Sequence, residues 1–261
     1  MDPLILWIIA FTVLGGALSV LAAGGFLLLS AAARARLLPP LVSFAIGALL
    51  GAAFLALLPH ALEAPGVRGG HGITFTVLLG LLGFFLLEKL VLWRHCHADG
   101  CEAHGIDFES VHNRAAGNLI LIGDGIHNMV DGVLIAAAFL TDVHLGIVTS
   151  LAVIAHEVPQ EVGDFAILLH SGFGRAQALF YNVLSSLTTV IGGVAAYFSL
   201  SLAFSVVPYV LAVAAASFIY IAVADLIPGL HRRPALGATM QQMALILLGV
   251  GVIFVTHSTM H

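Results

Sequence analysis

Charge is what this chain has least of. Asp, Glu, Lys and Arg make up 9% of its 261 residues, against 60% hydrophobic residues and a mean hydropathy of +1.08. Soluble domains carry roughly 25% charged residues, so a water-soluble globular domain is excluded. Cysteine is nearly absent too. Cys96 and Cys101 cannot staple a fold of this size and fall in a polar, histidine-rich stretch, which argues against a disulfide scaffold. Lysine and arginine are missing altogether from two long segments, 115–139 and 145–169, although these carry two and three acids.

What is present instead is apolar length. A helix needs about 20 apolar residues to cross a bilayer core of about 30 Å. Eight segments reach that scale: 4–29, 41–58, 73–93, 115–139, 145–169, 176–202, 206–227 and 236–255. The first lacks a basic n-region and exceeds the usual signal-peptide core of about 7–15 residues, so it is read as a retained span. The breaks hold Arg34 and Arg36 with "PP", then "EAPGVRGG", a His/Cys-rich loop, "TDVH", "SGFGR", the stretch around Pro208, and "PGLHRRP". The expected architecture is an all-α integral membrane protein of eight transmembrane helices, a single polytopic domain over 1–261 that includes the loop 95–113.

Basic residues orient it. Arg34, Arg36, Arg94, Arg114, Arg175, Arg232 and Arg233 fall on one side and Arg68 alone on the other. Cytoplasmic loops hold the basic excess, so both termini are expected outside and the His/Cys loop inside. Glu88 and Lys89 read as interface anchors at the inner end of the third span. "FLALLPHAL" in the second span and "AVADLIPGL" in the seventh echo one another. Among eight spans these two run in opposite directions, as an inverted repeat of helices 1–3 and 6–8 around a central pair would require.

The fourth and fifth segments are the anomaly. Asp124, His127, Asn128 and Asp131 share one helical face, as do His156, Glu157, Gln160, Glu161 and Asp164. The link between the segments is about four residues, so they are antiparallel neighbours. His127 and Glu157 lie equally far from Asp142, about 22 Å along each helix, so the clusters meet near the midplane. Gly117, Gly123, Gly125, Gly132 and Gly163 permit close approach, and Pro159 frees the carbonyl of Ala155.

An isolated charge at mid-bilayer costs roughly 2.5–3.5 kcal/mol, and no lysine or arginine is at hand to pair with these acids. Bound cations, protonation or water must compensate. His127 and Asp131, opposite His156 and Gln160, offer imidazole nitrogens and side-chain oxygens that suit zinc and similar ions. Asn128 and Glu157 could hold a second ion or complete the ligand set. A hydrogen-bonded polar network and a proton relay are the readings without metal. "HEVPQ" also approaches the zinc-protease pattern H-E-x-x-H, with Gln160 in place of the second histidine.

"HNMVDG" followed by "HEVPQEVGDFAILLHSG" resembles the paired fourth- and fifth-helix motifs of the ZIP (Zrt-, Irt-like protein) metal transporters. The nearest pattern is the subgroup whose fifth helix reads H-E-x-P-H-E-x-G-D. The resemblance implies that the protein is not an enzyme and moves Zn2+, and often Fe2+, Mn2+ or Cd2+, into the cytoplasm as substrate, with no cofactor. It implies a primary site of His127, Asp131, His156 and Gln160, an adjoining one using Asn128 and Glu157, and alternating access by movement of the bundle that holds helices four and five. Two departures stand out. Gln160 replaces the usual histidine, and the sixth span "ALFYNVLSSLTTVIGG" has no carboxylate where some members supply a ligand.

Candidate approaches flank the midplane. His60, Glu63, Asp142 and His144 lie toward the outer side, and Asp124, Glu161, Asp164, His170 and Asp225 line a candidate pathway inward. His95, Cys96, His97, Cys101 and His104 suit transient zinc capture in the loop, although their spacing matches no rigid zinc module. His257 and His261 read as incidental. The expected partners are divalent metal ions, the lipid bilayer of a plasma or inner membrane, and a second copy of the chain as a homodimer. No nucleic acid is expected. The alternatives are an intramembrane zinc metalloprotease and a proton-coupled carrier of an organic solute.

Overall fold

The computed structural model describes residues 2–67, 69–96, 114–231 and 236–259. Among these the chain forms eight long helices and no strand. They are α1 (Pro3–Leu27), α2 (Ala31–Gly51, continuing through a π-helical Ala52–Leu57 into Leu58–Glu63), α3 (His71–Cys96) and α4 (Arg114–Thr141). Then come α5 (Val143–His170), α6 (Arg175–Leu202), α7 (Val207–Tyr220, a π-helical Ile221–Leu226, then Ile227–Leu230) and α8 (Leu236–Thr259). Seven are long and apolar enough to cross a membrane. The other is α5, whose 28 residues suffice in length but include His156, Glu157, Gln160, Glu161 and Asp164.

Two expectations about the connections are corrected. The arginines and the proline pair do not form a break: α2 starts at Ala31, where the Ser30 hydroxyl accepts from the Ala33 N–H at 3.3 Å, and runs on through Pro39 and Pro40. The Ser43 hydroxyl donates to the Pro39 carbonyl at 2.7 Å. The link between α4 and α5 is not four residues but Asp142 alone. Its carboxylate accepts from the N–H of His144 (2.8 Å) and Leu145 (3.1 Å), so the new helix begins at once.

Both π segments precede a proline. Leu58 N–H reaches back to the Ala53 carbonyl before Pro59, and Ile227 N–H reaches the Ala222 carbonyl before Pro228. The widened turn accommodates a residue with no N–H to give. The two echoing sequences therefore carry one backbone device.

Helix pairing divides the bundle. α1 packs on α5 and α6, and α4 on α6 and α5, while α2 packs on α8 and α3 on α7. The two groups meet where α2 touches α5 and α7 touches α4. The largest buried side chains, among them Phe139, Leu134, Leu145, Leu211 and Phe218, form an apolar core between the midplane and the side that carries the termini. α4 and α6 approach at backbone distance: a Cβ on Gly132 would lie 1.9 Å from the Thr189 carbonyl oxygen. That approach sets α4's polar face against α6's hydroxyls.

Candidate metal site

Asp142 fixes where α5 starts, and nearly equal counts along the two helices, 15 residues back to His127 and 14 forward to His156, bring the two imidazoles to one depth. Their Nε2 atoms lie 3.4 Å apart. Asp131 Oδ2 stands 3.2 Å from His156 Nε2 and 3.7 Å from His127 Nε2. Glu157 Oε1 stands 3.4 Å from His127 Nε2 and 3.8 Å from His156 Nε2. One donor atom from each of these four residues lies within 4.8 Å of all the others.

The donor set of the cluster would suit a cation. His156 Nδ1 lies 3.1 Å from the Ala152 carbonyl, which can only accept, so the proton sits on Nδ1 and the Nε2 lone pair faces the cluster. Phe218 closes over that ring edge-on at 6.0 Å. Asp131, His156 and Glu157 are at most 1% exposed, and neither oxygen of Asp131 or Glu157 accepts a hydrogen bond from the described residues. Two buried carboxylates without donors call for a cation, a proton or water beside them. For a tetrahedral ion with ligands at about 2.0–2.2 Å, neighbouring donors sit roughly 3.3–3.6 Å apart. The five measured separations, 3.2–3.8 Å, bracket that range.

The other expected ligands are placed differently. Asn128 adjoins the cluster, but its amide donates to Asp124 Oδ1 (2.8 Å) and its oxygen accepts from Thr189 Oγ1 (2.8 Å). Ser185 Oγ donates to the second oxygen of Asp124, and Thr188 Oγ1 to the Gly125 carbonyl at 2.7 Å. Gln160 is half-buried one turn beyond His156. Glu161 is fully buried with both oxygens unpartnered among the described residues, and Asp164 is half-buried one turn further on. The sixth span was read only for the carboxylate it lacks. Its Ser185, Thr188 and Thr189, one helical turn apart and followed by Gly192 and Gly193, were the signal for this network.

At the terminus side His144 Nδ1 lies 3.4 Å from Asp142 Oδ1. His60 meets His257 edge to face at 5.4 Å, so the histidine read as incidental stands beside an expected pathway residue. Only the pairing of α2 with α8 reveals that proximity. Glu63 is exposed where α2 ends. On the opposite side Asp225 is exposed within the π segment of α7, and Tyr220 donates to Glu88. Lys89 stands over the Phe85 ring at 5.8 Å. His95 and Cys96 close α3 and His170 closes α5, with their side chains outside the described residues. His97, Cys101, His104 and His261 lie outside the described residues entirely.

The family profile described as ZIP Zinc transporter matches residues 93–257, which takes in α4, α5 and the whole cluster. The chain belongs to the ZIP zinc transporter family. It is 30% identical to zinc transporter ZIP13 of Gallus gallus over 270 residues, covering 84% of this chain and 74% of that one. Against ZIP13 of Homo sapiens it is 30% identical over 267 residues, 86% and 72% of the two chains. Zinc transporter foi of Drosophila melanogaster is 41% identical over 137 residues, 51% of this chain but 19% of its own length. Family membership makes this chain a multi-pass membrane transporter rather than an intramembrane protease, in keeping with a site that offers Gln160 where a protease needs its second histidine.

Proposed function

We propose that this protein carries Zn2+ across the membrane into the cytoplasm, taking the ion between α4 and α5 on His127, Asp131, His156 and Glu157. The observation that carries this reading is the convergence of four donor atoms from two antiparallel helices on one buried point, at separations suited to a single tetrahedral ion. Gln160 adds a neutral oxygen or nitrogen one turn away. Fe2+, Mn2+ and Cd2+ are further candidate substrates, because a mixed imidazole and carboxylate set serves several divalent ions.

The basic excess supports placing the termini outside and the loop 95–113 in the cytoplasm. From the cluster toward the termini, Leu134–Phe139 on α4 and Leu145, Val148 and Ala152 on α5 are at most 1% exposed, so that route is sealed by apolar packing. His127 keeps 23% of its side chain accessible, so the cluster is not closed on every side. This supports an inward-facing state. The helix pairing supports an inverted repeat: exchanging α1–α3 for α6–α8, and α4 for α5, turns α1·α5 into α6·α4 and α2·α8 into α7·α3. Alternating access then moves α1, α4, α5 and α6 as one body against α2, α3, α7 and α8, with the whole chain as one transport unit. In this scheme Glu161 and Asp164 continue the route toward the cytoplasm.

Zinc influx into proteoliposomes under a metal gradient tests the proposal. Saturable influx is expected from the parent, and none from His127→Ala or His156→Ala of unchanged helical content. A parent that carries none of the four metals would overturn it.

A further inference from the structure

On the side of the membrane where α2 and α6 begin, a groove of about 400 Å³ opens between α1, α5 and α6. Its walls are apolar, formed by Val20, Leu21, Phe165, Leu169 and Leu179. Leu28, which also lines it, is 83% exposed. Two guanidinium groups complete the lining, from Arg34 in the first turn of α2 and from Arg175, the first residue of α6. Among the described residues no carboxylate comes within ion-pair distance of either arginine.

The chemistry selects the occupant. A divalent cation is repelled by two arginines and finds no ligand on these walls. A small soluble anion would satisfy the arginines and leave the apolar walls without an occupant. A molecule with an anionic phosphate at one end and a hydrocarbon chain at the other satisfies both, and arginine pairs bind phosphate with parallel N–H bonds. The position is also right, since Arg34 and Arg175 open helices that enter the membrane, at the level of lipid headgroups. Gly24 and Gly25 keep the wall of α1 low: a Cβ on Gly25 would meet nothing within 4 Å.

We propose that this groove binds one anionic phospholipid, its phosphate held by Arg34 and Arg175 and an acyl chain lying between α1 and α6 against Val20, Leu21 and Leu179. The site is separate from the metal cluster and does not depend on what the protein transports. Because Arg34 belongs to α2 and Arg175 to α6, the bound headgroup ties together the two groups of helices distinguished by their packing.

Native mass spectrometry of the purified full chain, mixed with phosphatidylglycerol or phosphatidylcholine of identical acyl chains, tests this. The parent is expected to retain one phosphatidylglycerol, preferred over phosphatidylcholine by roughly 30-fold, as two interfacial arginines allow. The pair Arg34→Gln and Arg175→Gln should erase the preference. Arg36→Gln, on an exposed residue of α2 that does not line the groove, should keep it. Gly25→Leu fills the groove with both arginines intact and should weaken retention of either lipid. Equal retention of the two lipids by the parent overturns the proposal. So does a loss in Arg36→Gln as large as in the double variant, an unchanged Gly25→Leu, or a dimer that forms without lipid through this face.

Discussion

The Nε2 atoms of His127 and His156 face each other at 3.4 Å across the α4–α5 interface. Their rings stand nearly perpendicular, at 84°, so the two nitrogens converge without stacking. With Nδ1 of His156 committed to Ala152, the Nε2 lone pair has no polar hydrogen of its own to offer and is left for an ion. Replacing either histidine by alanine should therefore weaken zinc binding by more than the roughly 10–100-fold that loss of an outer partner costs. Isothermal calorimetry in detergent reads this directly.

On the proposed reading metal and protons compete for this cluster, because zinc requires neutral imidazole and ionised carboxylate. Zinc binding should release protons, and the apparent heat of binding should change with the ionisation enthalpy of the buffer. Acidifying the medium should weaken binding in the parent. A buffer-independent heat would mean the ligands are already deprotonated in the empty protein.

Thr189 holds Asn128 beside the site. Thr189→Val leaves the Asn128 oxygen buried without its donor. Stability should fall by about 1–3 kcal/mol, while zinc affinity, which rests on four other residues, should change little. Thr189→Ser should restore the stability, which a general loss of packing would not allow.

Gly132 and Gly163 should respond oppositely to alanine. At Gly132 the added methyl would lie 1.9 Å from the Thr189 carbonyl oxygen, so α4 and α6 must part and the folded yield should collapse. At Gly163 the methyl meets nothing within 4 Å, and the better helix former should be neutral or stabilising by up to about 1 kcal/mol. Thermal unfolding of the two variants separates the cases.

Asp142 should make a pH-dependent contribution at the α4–α5 corner. Burial by itself would raise its carboxyl, but the N–H groups of Leu145 and His144 and the nearby imidazoles hold it below the ordinary 3.8. A depressed value means that the stabilisation is complete above that ordinary value and is lost as pH falls through the lower, folded one. Asp142→Ala should cost about 1 kcal/mol, and Asp142→Asn, itself a good cap, much less. Melting temperatures of the three proteins between neutral and acidic pH check both statements.

Much of this molecule was written along the chain. Apolar runs separated by short polar breaks determine eight helices, because a bilayer core admits few other ways to satisfy a backbone. Equal residue counts either side of Asp142 place His127 and Glu157 at one depth, with His156 one residue away, since rise per residue is constant and the link is short. The position of α2's start was hidden by prolines that normally end helices, and only the Ser30 cap explains it. What the tertiary structure alone decided is which polar atoms remain for an ion. Asn128 and Asp124 share a face of α4 with His127, yet the hydroxyls of α6 engage them while Asp131 and Glu157 are left without donors. That division follows from the backbone contact of α4 with α6 at Gly132, a relation between residues nearly sixty positions apart that no local period encodes.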